Sequence, residues 1–129
     1  MGESNHIRRT RPDERVVGDP TPGMVREQAI TAEGLWSGLV TTEAGMESGW
    51  HHHGEHETSI YVVDGALRMQ WGPDGTSTLT AVAGDFVRVP KRVVHREGNP
   101  GEAPSHLVVT RAGSGPVTVN VDGPQPRSG

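Results

Sequence analysis

Apolar residues in this chain come in short runs, most of them alternating with polar positions. The runs are VREQAIT, LWSGLVTT, TSIYVV, ALRMQW, TSTLTAV, DFVRV, HLVVTR and VTVNV. Side chains on a strand alternate between faces, so a period of two with β-branched residues at the apolar positions predicts strands that bury one face. No segment sustains a 3.6-residue period long enough for an ordinary helix. Turn residues separate the runs at Asp64-Gly65, Gly72-Pro73-Asp74-Gly75, Ala83-Gly84, Asn99-Pro100-Gly101 and Gly113-Ser114-Gly115-Pro116, each with specific turn chemistry. Short strands at regular spacing predict an all-β sandwich or barrel of about eight to ten antiparallel strands. Asp64-Gly65 is expected to close a type I′ hairpin between SIYVV and ALRMQW.

The pattern fades at both ends. Residues 1–23 are polar and end in GDPTPG, so they are expected to form a flexible N-terminal segment. Residues 24–121 would form one β-domain, and residues 122–129, beginning DGPQP, a flexible C-terminal tail. No internal repeat of a solenoid or propeller kind is present.

Composition narrows the chemistry. Hydrophobic residues make up 32% of the 129 and aromatic residues 4%, so the core must be built from small β-branched side chains. With no cysteine, disulfides, thiolate metal sites and cysteine nucleophiles are excluded. Any metal must rest on His, Asp, Glu or water. The net charge of -4 supplies no global positive field for a nucleic acid. No apolar stretch approaches the length of a membrane span and no apolar leader follows the N-terminal arginines. The expectation is a cytoplasmic protein with no nucleic-acid or membrane partner.

Four of the seven histidines fall in GWHHHGEHETSIYVVDG, residues 49–65. On an extended strand His51 and His53 share a face and His52 takes the other, which makes a two-nitrogen pincer suited to Zn, Fe, Ni, Cu or Mn. A His-rich turn alone is better explained by solvation. Further on, Arg88, Lys91, Arg92 and Arg96 bracket His95 in an otherwise acidic chain. Arg88 and Arg92 are candidates for holding a carboxylate or phosphate on an anionic substrate; a solvated charged rim is the plainer reading. Trp50, Trp71 and Tyr61 are taken as packing residues, with Tyr61 opposite Ile60 and Val62 and facing outward.

Spacing ties these segments together. Gly45, five residues, His51-x-His53, four residues to Thr58 and six to Gly65 resemble the first motif of the cupin superfamily, G-x5-H-x-H-x(3,4)-E-x6-G. Gly84, five residues, Pro90, Arg92, His95 and Asn99 are similar to its second motif, G-x5-P-x-G-x2-H-x3-N. The resemblance covers about residues 40–112 and departs from the family at Thr58, where glutamate is expected, and at Arg92, where glycine is.

The resemblance implies a small single-domain cupin: a jelly-roll β-barrel holding one divalent transition metal, and a homodimer. Carried over residue by residue, His51, His53 and His95 are ligands. Glu57, one position early, is the favoured fourth. His56 rivals it on strand parity, and water at that place is the third option. The function implied first is a non-haem Fe(II) dioxygenase acting on a small organic molecule. An isomerase, lyase or decarboxylase using Zn, Ni or Mn, or a non-catalytic binding barrel, fits the same ligands.

Overall fold

The structure is a computed structural model and describes residues 6–19 and 21–126; residues 1–5 and 127–129 of the expected terminal segments lie outside it. Eleven strands form among the described residues. They are β1 (Val16–Val17), β2 (Met24–Ala32), β3 (Leu35–Thr42), β4 (His51–His52), β5 (Glu57–Asp64), β6 (Ala66–Trp71), β7 (Ser77–Val82), β8 (Phe86–Val89), β9 (His95–Gly98), β10 (Ser105–Ala112) and β11 (Val119–Asn120). The only helical elements among these residues are two 3-10 turns, Pro12–Glu14 and Pro73–Gly75, and no helix is long and apolar enough to cross a membrane.

The strands form two antiparallel sheets. A six-stranded sheet runs β1-β2-β3-β10-β5-β8 and a five-stranded sheet β11-β4-β9-β6-β7. Their inner faces share one core, to which the first sheet gives Val40, Ile60, Val62, Leu107 and Val109 and the second Leu67, Met69 and Ala81. This is the predicted all-β jelly-roll arrangement, although hydrogen bonding does not close the sheets into one continuous barrel. The alternation in the sequence is the cause: along β10 every second residue, Ser105, Leu107, Val109 and Arg111, is buried.

One expectation is corrected. Asp64-Gly65 does not close a hairpin, because β5 pairs with β10 and β8 while β6 pairs with β7 and β9. A type I′ turn needs positive φ at both central residues, and here only Gly65, at φ 79°, has it. The chain instead turns a corner from one sheet to the other. A Cβ on Gly65 would stand 2.8 Å from Ser105, so both backbone angle and space require glycine. Strand pairing begins upstream of Met24: β1 adds to the edge of β2, pairing Val16 with Gln28, and the Thr10 hydroxyl donates to the Ala29 carbonyl at 2.8 Å.

Candidate metal centre

Two short strands of the five-stranded sheet position the site. β4 and β9 run antiparallel with His51 directly opposite His95. His53 follows β4 on the same parity as His51, and Glu97 shares the parity of His95 on β9. Four side chains thereby converge: one ligand atom each from His51, His53, His95 and Glu97 lies within 4.8 Å of every other. The imidazole centroids are 4.4–5.0 Å apart. The Glu97 Oε1 sits 3.5 Å from His51 Nε2 and 3.7 Å from His95 Nε2.

All three rings are oriented the same way. Nδ1 of His51 lies 2.9 Å from the Gly49 carbonyl, that of His53 2.8 Å from Val117, and that of His95 2.9 Å from Val93. A carbonyl only accepts, so each Nδ1 carries the hydrogen and donates it. That leaves each Nε2 with its lone pair turned inward, the tautomer a metal ligand needs. The Nε2 of His95 is buried and has no hydrogen-bond partner, a cost that a cation in the cluster would remove.

Charge acts on the same donors, holding His53 neutral and drawing His51 towards a proton that a bound cation would replace. Burial, followed by the nearby positive charge of Arg111, pushes the His53 imidazole down to about 3, which keeps it neutral and available as a donor. For Glu97, burial raises the carboxyl, but the adjacent imidazoles of His51 and His95 outweigh it and hold the acid well below its ordinary range. Burial lowers His51, and the adjacent Glu97 carboxylate more than reverses this. An ionised carboxylate among three imidazoles is a donor set for one first-row divalent ion, whose bonds of about 2.0–2.2 Å need only small side-chain shifts to form here. The cluster can therefore hold a divalent metal.

The carboxylate in the cluster is Glu97, not Glu57. Glu57 opens β5 with its side chain on the outer face, where its carboxylate accepts from Arg88 Nε at 2.9 Å and from the Lys91 backbone amide at 3.4 Å. The hydrogen bond from Arg88 holds the acid below its usual value. His56 is buried, but its Nδ1 faces the His53 carbonyl at 3.2 Å and it stands outside the cluster. Thr58, at the family's glutamate position, does point inward; its Oγ1 is buried with no partner. His52 faces away and accepts from the Gly54 amide at 3.0 Å. Glu97 was legible as a His-x-Glu pair on one face of an extended segment, the same argument that selects His51 and His53.

Arg88 and Arg92 do not join the site. Arg88 borders an apolar cavity, but its Nε is held by Glu57. Arg92 is exposed and donates to Glu55 at 2.6 Å. It adopts φ 60°, the left-handed conformation for which the family pattern has glycine. Two other arginines lie beside the cluster: Arg26 and Arg111, the latter only 8% exposed, line a small cavity together with His51, His53, Thr58 and Glu97. The signal for Arg111 was its parity with Leu107 and Val109 on β10.

A separate cavity of about 270 Å³ reaches the cluster at His95 and is walled by Met69, Trp71, Leu79, Val87 and Val93. A wider cleft of about 670 Å³ opens beside His51 and is bordered by Met24, Arg26 and Thr118.

The cupin domain family model matches residues 38–111. This chain belongs to the cupin family. The match spans β3 to β10 and includes all four residues of the cluster. Among curated proteins none matches the sequence. Solved structures do. KdgF from Halomonas sp. is 22% identical with a TM-score of 0.70, over 81% of this chain and 94% of that one. An RmlC-like cupin from Shewanella frigidimarina is 23% identical with a TM-score of 0.69, over 83% and 91%. A mutant of oxalate decarboxylase from Bacillus subtilis is 25% identical with a TM-score of 0.68; 79% of this cupin aligns with 29% of that longer chain.

Proposed function

We propose that this cupin is a metal-dependent enzyme acting on a small organic molecule, with one divalent ion held by His51, His53, His95 and Glu97, and with Fe(II)-dependent dioxygenation as its reaction. The observation that carries the metal reading is the shared orientation of the three imidazoles, each fixed through Nδ1 by a backbone carbonyl with Nε2 turned to a common point. Four protein donors leave a six-coordinate ion with two further positions. Bound there, Fe(II) would supply redox chemistry between dioxygen and an organic substrate.

The chain's own residues account for the rest. The carbonyls of Gly49, Val117 and Val93 hold the rings in one tautomer, and Glu97 offsets part of the ion's charge. The cavity beside His95, lined by Trp71, Leu79, Val87 and Val93, offers a water-poor wall for the organic part of a substrate. A second reading, decarboxylation or another lyase or isomerase reaction with Mn, Zn or Ni, is favoured by the likeness to Bacillus subtilis oxalate decarboxylase, a protein described with Mn(II) centres. A non-catalytic binding role would use the same cluster. A cytoplasmic homodimer completes the proposal, supported by an apolar row on the outer face of the six-stranded sheet.

The metal is tested by elemental analysis of protein purified without chelators or a His-tag. Near-stoichiometric transition metal is expected in the wild type and in Glu57→Gln. His51→Ala combined with His53→Ala should lose it, and Glu97→Gln should bind on the order of 10- to 100-fold more weakly. Metal-free wild-type protein with intact folding overturns the proposal. The reaction is tested by O₂ uptake with Fe(II) and a panel of catechols, thiols and 1,3-diketones. Uptake that requires both iron and substrate supports dioxygenation; none across the panel, with metal bound, moves the assignment to the second reading.

A further inference from the structure

Arg111 is a feature of the interior that the metal reading leaves unexplained. Its guanidinium is buried and forms no hydrogen bond or ion pair with any described residue, and its Nε has no partner at all. The Trp36 ring lies under it at 5.1 Å from the centroid, an attraction too weak to replace the water lost from the buried Nε–H. Glu97 is near enough to stabilise the charge, but a metal ion would draw on that same carboxylate. Unpaired buried charges are among the costliest features a fold can carry, and they persist where a ligand completes them.

The neighbouring residue on β5 shows what is missing. Thr58 is the direct cross-strand partner of Arg111 and also ends in an orphaned polar atom. Both line a cavity of about 20 Å³ shared with His51, His53 and Glu97. That is room for one or two water-sized groups. Met24, Arg26, His51 and Thr118 line both this cavity and the wide cleft beside it, which gives a route from solvent. A divalent ion and Arg111 would together bring three positive charges against the single negative charge of Glu97, so the completed site calls for an anion.

We infer that Arg111, with the Thr58 hydroxyl, seats a carboxylate group of the substrate beside the metal position, so that this cupin acts on a small carboxylic acid. The inference rests on the proposed metal centre for its catalytic meaning. A carboxylate fits because it is planar, its oxygens span the guanidinium fork, and it can also accept from a hydroxyl. Arg111 is then a binding and positioning residue.

The test measures binding of malonate and acetate by calorimetry, to metal-free protein and to protein loaded with Zn(II), with malonamide as the neutral counterpart. Wild type is expected to bind malonate and not malonamide. Arg111→Met should weaken malonate on the order of 10- to 100-fold, and Thr58→Val by about threefold to tenfold. Arg111→Met should keep its metal, and in the absence of ligand should melt no lower than wild type, because it removes an uncompensated charge. A purely structural arginine would instead lower the melting temperature and leave malonate binding unchanged, which overturns the inference. So does equal affinity for malonamide, tighter binding of phosphate than of either carboxylate, or no carboxylate binding in either metal state. If Arg111→Met fails to fold, Arg111→Lys decides, since it keeps the charge and loses the fork: undiminished malonate affinity counts against the inference. Failure of the wild type to take up metal sinks the metal centre alone, because the metal-free arm still reads the carboxylate seat.

Discussion

Arg92 shows what one backbone angle does in this molecule. It stands where the cupin pattern has glycine and takes φ 60°, a region that costs an L-residue about 1–2 kcal/mol. Its ion pair with Glu55 is solvent-exposed and returns little. Arg92→Gly should therefore stabilise the protein by about 0.5–1 kcal/mol after the added freedom of the unfolded chain is counted; urea denaturation checks it, and a loss of stability would mean that the Glu55 pair matters more than its exposure implies. Asn99 is the opposite case, a polar residue the fold cannot spare. It is 2% exposed, and its amide donates to the Thr42 carbonyl at 3.1 Å and to Ala103 at 2.8 Å while its Oδ1 accepts from the Gly101 amide at 2.9 Å. The asparagine that closes the second motif is thus a staple between the β9–β10 loop and the end of β3. Asn99→Ala strands three backbone groups and should cost about 2–3 kcal/mol, read by the same denaturation experiment; a cost below about 0.5 kcal/mol would show that water replaces the staple.

At the level of elements, the strands that carry the core and the strands that carry the site obey the same geometry with different residues. β3 and β6 were readable residue for residue, because Trp36 and Val40 on β3 and Leu67 and Met69 on β6 mark their inward faces. β4 and β9 were not, since their inward positions hold His51, His95 and Glu97, and polar ligands erase the hydrophobic alternation that announces a strand. The same substitution hid Glu97: the carboxylate that completes the cluster lies two residues beyond His95, away from the histidine run and on a strand with no apolar signature. Asp64-Gly65 misled for a related reason, because local turn chemistry cannot tell a hairpin from a corner between two sheets. β4 is two residues long and pairs with β9 only through His51 and His95; the segment just before it is tied to β9 by Ser48 and Glu97, and an ion would add a clamp at the histidines themselves. Metal loading should slow amide hydrogen exchange at residues 50–54 and 95–98 by about tenfold or more while leaving β10 unchanged. Equal protection with and without metal would show that β4 and β9 are fully ordered by the sheet alone.

For the whole molecule, the two faces of the six-stranded sheet do different work. The inner face closes the core. The outer face carries a row that crosses four strands in register: Leu39 on β3 opposite Val108 on β10, Val108 opposite Tyr61 on β5, and Tyr61 opposite Phe86 on β8. The Tyr61 and Phe86 rings touch at a tilt of 49° with centroids 4.7 Å apart, yet Phe86 remains 74% exposed. A contiguous apolar row of this kind on a sheet face is better accounted for by a covering partner than by solvent, and the proposed homodimer supplies one in a second copy of the same face, which twofold symmetry makes self-complementary. Sedimentation equilibrium should then give twice the mass of one chain for the wild type, and Phe86→Asp, which places a charge on the most exposed residue of the row, at its β8 end, should weaken association on the order of 10-fold or more. The substitution touches neither the inner core nor the metal cluster, so the monomer it produces should keep its bound metal and its melting behaviour in dilute solution. A wild type that sediments as a single chain at micromolar concentration rejects the pairing, and a Phe86→Asp dimer of unchanged stability moves the interface to another face.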